Sequence, residues 1–157
     1  MPSKIKTLHQ QAQKALNNGY YQQAHQNLIS ILQQDKNFAD AYFLLAMIAS
    51  AHHKLVKAIE LIKQADSLAP NNPEYLSQLA KHHALENNHV QALHFAEVTA
   101  KLISSSSSSS SLTLDTLGVA YSQIGLHEEA LVFFDQAVTL NDKNPHYFFN
   151  LGASLEF

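Results

Sequence analysis

At 157 residues, 46% hydrophobic and 15% charged, the chain is long enough for one or two ordinary domains and too apolar to be disordered. Its formal net charge is −3 and its basic side chains are all lysine or histidine, so arginine's bidentate contacts to phosphates and base edges are missing and no nucleic-acid partner is expected. With no cysteine, disulfides, thiolate metal sites and a cysteine nucleophile are excluded, which fits a reducing, cytoplasmic setting.

The opening Met-Pro-Ser-Lys-Ile-Lys-Thr has no apolar run of signal-peptide length, and no later stretch reaches the roughly 18 apolar residues that span a bilayer, so no membrane is expected. A first unit then runs over about 5–38. Leu8, Ala12 and Ala15 line one helix face, Asn17-Asn18-Gly19-Tyr20 turns the chain, and Ala24, Leu28 and Ile31 line a second helix. A second unit, about 39–72, sets Tyr42, Leu45, Ala46 and Ala49 against Ala58, Ile62, Ala65 and Leu68 at the same i, i+3/i+4, i+7 spacing. Pro70-Asn71-Asn72-Pro73 closes it, and Pro73 suits a first helical turn because its missing N–H had no partner there.

A third unit spans about 73–110, with Leu76, Leu79, Ala80 and His83 facing Ala92, Ala96, Thr99 and Leu102. It ends in the serine run Ser104–Ser111, which reads as a surface loop because serine hydroxyls compete for backbone groups; a modified tract, and serines standing in for residues whose identity was not established, are the competing readings. The fourth unit, 111–144, carries Leu114-x2-Leu117-Gly118-x2-Tyr121, then Gly125, then Ala130-x3-Phe134-x2-Ala137, with Leu117, Tyr121, Phe134 and Leu140 as large plugs. Gly118 and Ala130 lack bulk where two helices must cross closely. A partial fifth unit, 145–157, begins Asn144-Pro145 and continues Phe148-Phe149-Asn150-Leu151-Gly152.

Two columns fix this register. The small residue of each second helix recurs at Ala24, Ala58, Ala92 and Ala130, and the large residue of each first helix at Leu8, Tyr42, Leu76, Leu114 and Phe148. Both step by 34 residues and share one four-residue insertion, at the serine run. The pattern resembles the tetratricopeptide repeat family, W-x2-L-G-x2-Y…A-x3-F…P, lacking in the fourth unit only the Trp and the closing Pro. The resemblance implies an all-α fold of nine helices, with four and a half repeats in one domain over 1–157. Its helix pairs would stack into a right-handed superhelix with a concave face lined by the first helices. It also implies a protein or peptide ligand in that groove, at His9, Gln13, Phe43, Met47, Ser77, Lys81, Asp115, Val119, Ser122, Phe149 and Asn150. Phe43 with Met47, an i, i+4 aromatic–thioether pair, suits an adaptable apolar contact.

The family's chaperone-binding branch holds a peptide carboxylate with a Lys/Asn/Arg clamp. The matching places here hold His9, Gln13, Leu44, Glu74 and Gln78, so that partner is not expected. The segment from Leu114 to Phe157 is also similar to the last repeats of bacterial proteins in which such repeats precede a sulfotransferase domain. That likeness keeps open a second function, the leading part of a larger enzyme.

No catalysis is expected from the chain itself. The ten histidines, including His52-His53, His82-His83, His89 and His94, lack an i, i+4 pair with a carboxylate, and adjacent helical residues point about 100° apart, so neither a metal nor another cofactor is expected. His83 is placed on a buried face, and His53, His89 and His127 near turns. At the C-terminal end Phe148, Leu151 and Leu155 are expected to pack on the fourth unit, leaving Tyr147, Phe149 and Phe157 exposed. Such an end is either continued by further chain or covered by self-association.

Overall fold

The computed structural model describes residues 3–106 and 109–155. Among these the chain forms nine helices and no strand: α1 (Ser3–Asn17), α2 (Tyr21–Gln34), α3 (Ala39–Ala51), α4 (Leu55–Leu68), α5 (Pro73–Leu85), α6 (His89–Ser104), α7 (Ser111–Gln123), α8 (His127–Leu140) and α9 (Pro145–Leu155). None is long and apolar enough to cross a membrane. Contacts divide the chain into two compact units, Met1–Pro70 and Asn71–Phe157, with the boundary inside the Pro70-Asn71-Asn72-Pro73 segment.

In the N-terminal unit α1 pairs with α2 and α3 with α4, and α2 also packs on α3. The small residues sit where the register puts them: Ala24 and Ala58 are 0% exposed, and Leu28, Ile31 and Ile62 fill the space beside them. In the C-terminal unit α5 pairs with α6 and α7 with α8, while α7 also packs on α5 and α9 on α8. Its core joins Ala96, Leu117, Ala120, Ala130 and Phe134, with Phe133 stacked parallel on Tyr121 at 5.4 Å between ring centroids.

All four turns within helix pairs use one device. Gly19, His53, Asn87 and Gly125, at steps of 34, 34 and 38, have φ of 77°, 61°, 63° and 89°. The next residue then donates its N–H back to the helix, as in Tyr20 to the Ala15 carbonyl (2.8 Å), Lys54 to Ala49 (2.9 Å), Asn88 to His83 (2.8 Å) and Leu126 to Tyr121 (2.9 Å). These bonds satisfy carbonyls that a helix end otherwise leaves open. Side-chain caps start three helices of the C-terminal unit: Asn72 accepts from Glu74 ahead of Pro73, Asn88 from Gln91, and Ser110 from Thr113.

Several expectations need correction. The serine run is not all loop, because Ser104 ends α6, Ser111 begins α7 and Ser110 caps α7; Ser107 and Ser108 lie outside the described residues. Leu140 does not plug the fourth pair, being 60% exposed at the end of α8. In α9 the buried residues are Tyr147 and Ser154, whereas Phe148 is 46% and Leu155 63% exposed. Tyr147 packs with Leu114 and Ala137. The face of α9 that meets α8 thus runs through Tyr147 and Ser154. Phe148 sits at the position that in the other repeats is covered by the second helix of its own pair. Phe149 is exposed as expected, and Phe157 lies outside the described residues.

Candidate functional site

The expected groove residues fall on α1 and α3 in one unit and on α5, α7 and α9 in the other. In the N-terminal unit His9 is half-buried, its Nε2 hydrogen-bonded to the Asp40 carboxylate and its ring edge-on to Phe38 at 5.2 Å. Gln13 is exposed and Met47 half-buried. Phe43, expected on an open face, is only 3% exposed and is part of the core. The aromatic–thioether pair is therefore not a ready contact surface: the helix turns its aromatic half inward and leaves only the Met47 thioether partly accessible.

The C-terminal unit brings more of the expected residues together. Asp115 on α7 accepts two hydrogen bonds from Asn150 Nδ2 on α9, at 2.9 and 3.2 Å. Lys81, on α5, and His146, at the start of α9, act on the same carboxylate electrostatically. Burial pushes the Asp115 carboxyl above the usual carboxylate range, opposed by the Asn150 hydrogen bond and by the positive charge of His146 and Lys81. Burial likewise pulls the half-buried Lys81 ammonium below its ordinary value, and Asp115 partly restores it. Among the described residues no ion pair within 4.0 Å joins Lys81 to Asp115. A partly desolvated ammonium therefore lies near a carboxylate that is already held by an amide.

The remaining expected residues do different work. Ser77 is 1% exposed and donates to the Glu74 carbonyl at 2.9 Å, which makes it a helix-internal residue, not a ligand contact. Val119 leans on the α7–α8 core, Ser122 is half-buried, and Phe149 stands 71% exposed beside Asn150. Two participants were not among the expected groove contacts. His146 lies one helical turn before Asn150, a spacing that could have found it. Gln78, one turn before Lys81, is 9% exposed with its Oε1 buried and without a hydrogen-bond partner. An orphaned acceptor of this kind costs about 1–3 kcal/mol until a donor reaches it.

The comparisons with known proteins agree with this architecture. Two family models, each described as tetratricopeptide repeat, match residues 15–82 and 113–144, and the chain belongs to that family. Among solved structures, a thermophilic protein with these repeats from Thermus thermophilus, TTC0263, is 17% identical with a TM-score of 0.77, covering 98% of this chain and 82% of that one. The pilF protein of Pseudomonas aeruginosa is 19% identical with a TM-score of 0.75, covering 98% of this chain and 68% of its own. An O-GlcNAc transferase mutant from Thermobaculum terrenum is 16% identical with a TM-score of 0.72, over 87% of this chain but 26% of that chain. At such identities the likeness is one of fold. No curated protein matches the chain.

Proposed function

We propose that the chain is a protein–protein interaction module without chemistry of its own, and that its α5–α7–α9 face takes an extended segment or helix of a partner protein. The observation that carries this reading is Lys81: half-buried, and with no carboxylate within ion-pair distance among the described residues. An incoming carbonyl or carboxylate would give that ammonium the partner it lacks. Phe149 on α9 supplies an exposed aromatic anchor, and such anchors carry much of the energy of an interface. Asp115 and Asn150 hold each other and keep the polar part of the face rigid before a ligand arrives.

A peptide-display selection on the immobilised chain, followed by anisotropy titrations of the selected peptides, tests this reading. Lys81→Glu and Phe149→Ala should each weaken binding by about tenfold or more, while Glu97→Lys on the exposed face of α6 should not. Selection of no peptide, or peptides insensitive to both face variants, would overturn it.

A second reading makes the repeats the partner-positioning part of a longer enzyme. The similarity to a region spanning 26% of an O-GlcNAc transferase chain favours it, since there the same fold occurs within a longer polypeptide. Sequencing the reading frame beyond Phe157 tests it: a catalytic domain downstream supports the reading, and a stop codon or further repeats alone exclude it. The resemblance to sulfotransferase-linked repeats receives no support from the relatives named above.

A further inference from the structure

One cleft of the N-terminal unit is lined mainly by its second helices. It is a cavity of about 450 Å³ between α2 and α4, floored by the C-terminal half of α3. This volume falls in the range of small-molecule pockets, roughly 300–1,000 Å³. Its inner surface is aliphatic, from Ile29 on α2, Leu45 and Ile48 on α3 and Leu61 on α4. Ile29 is 37% exposed, so its side chain is accessible from the cleft.

Every titratable side chain lining the cleft is basic: His25, His52, Lys54 and Lys57, with no carboxylate among them. The wall is partly fixed in advance. His52 Nδ1 donates to the Ile48 carbonyl at 2.8 Å, and its ring meets Tyr21 edge-on at 5.2 Å. The first turn of α4, which carries Lys57, has no acidic residue to offset this positive rim. An aliphatic interior under a cationic rim is complementary to one chemistry, a hydrocarbon group ending in an anion.

We propose that this cleft binds a medium-chain carboxylate, its alkyl chain against Ile29, Leu45, Ile48 and Leu61 and its carboxylate between Lys54 and Lys57. The site is independent of the α5–α7–α9 face and belongs to the other unit, so either can fail without the other.

The test is an NMR titration of the isotope-labelled full chain with sodium octanoate, with octylammonium chloride and octanol as the oppositely charged and neutral probes. Octanoate should give saturable amide shifts centred on Ile29, Ile48, Ala49 and Leu61, and should bind about tenfold more tightly than octylammonium. Lys54→Glu combined with Lys57→Glu should reverse that preference, and Ile29→Glu should abolish octanoate binding. All three positions are exposed, so unchanged helical circular dichroism confirms that the variants remain folded. Equal affinity for the three probes, shifts centred on α5, α7 and α9, or no saturable shift at millimolar octanoate would each overturn the proposal.

Discussion

Gly118 lies against Phe134 so closely that a Cβ on the glycine would fall 2.5 Å from Phe134 Cε1. The ring is 2% exposed and shut in by the core around Leu117 and Ala130, so it has little room to retreat. Gly118→Ala should therefore destabilise the C-terminal unit, since overpacking costs about 1–3 kcal/mol against the roughly 1 kcal/mol that alanine gains in a helix interior. Gly152 is the control, because nothing lies within 4 Å of the Cβ it would carry. Gly152→Ala should leave stability unchanged or raise it by up to about 1 kcal/mol. Urea melts of both variants check the pair; an equal effect at the two positions would count against the close crossing.

The left-handed turn positions make a second contrast. Gly125 adopts φ 89° at no steric cost, whereas His53 holds φ 61° against the penalty of roughly 1–2 kcal/mol that a Cβ carries there. Gly125→Ala should lower the urea midpoint. His53→Gly should raise it, by less than the full penalty because glycine also loses more chain entropy on folding. A His53→Gly variant less stable than the parent would mean that this ring makes a contact worth more than the strain.

What could be read in the sequence was the packing inside each helix pair, because it requires two residue types at fixed spacing: an alanine on the second helix and a large residue on the first. Ala24, Ala58, Ala92 and Ala130 are all 0% exposed, as that spacing demands. A further column went unread. Ala41, Tyr75, Thr113 and Tyr147 are equivalent positions and all buried, as are His82, Ala120 and Ser154. The columns mix small, polar and aromatic side chains, so no single residue type marks them and periodicity of composition does not reveal them. That is why Tyr147 and Phe148 exchanged expected roles. Beside Lys81 and Asp115, which the family resemblance supplied, Gln78 entered only as a place of the carboxylate clamp, and His146, an i, i+4 neighbour of Asn150, was not among the expected contacts. Turn geometry was legible at Gly19 and Gly125 but not at His53, where the backbone imposes a left-handed conformation on a residue type that gives no signal for it; Asn87 is of a type that tolerates that conformation.

Ala58 gives the direct test of the register in the N-terminal unit. It is 0% exposed on α4, the helix paired with α3, and neighbours Ile59 and Ile62 are also buried. Ala58→Phe should cost about 1–3 kcal/mol where the pair relaxes only partly. Val56→Phe, two residues earlier and 65% exposed, should leave stability nearly unchanged. Thermal melts showing no difference between the two would mean that the helix faces are misassigned.

His82 couples the fold to pH. It is 1% exposed on α5, with Nδ1 donating to the Gln78 carbonyl at 2.7 Å. Burial drives its pKa below the ordinary 6.5; Lys81 and His83 push the same way, while the Gln78 hydrogen bond and Glu86 oppose it. Above about pH 6.5 the imidazole is neutral in both folded and unfolded chains, and its full contribution to stability is present. As pH falls below that value the unfolded chain takes up a proton that the folded chain refuses. Stability is then lost until the folded-state pKa is reached, at a rate of at most about 1.4 kcal/mol per pH unit for one proton. Urea midpoints of the parent and of His82→Gln, compared at about pH 7.5 and about pH 5.5, isolate this group from the other nine histidines, which are common to both proteins. The parent should lose more stability than the variant over that interval. Equal losses would show that His82 takes its proton in the folded state as readily as in the unfolded one.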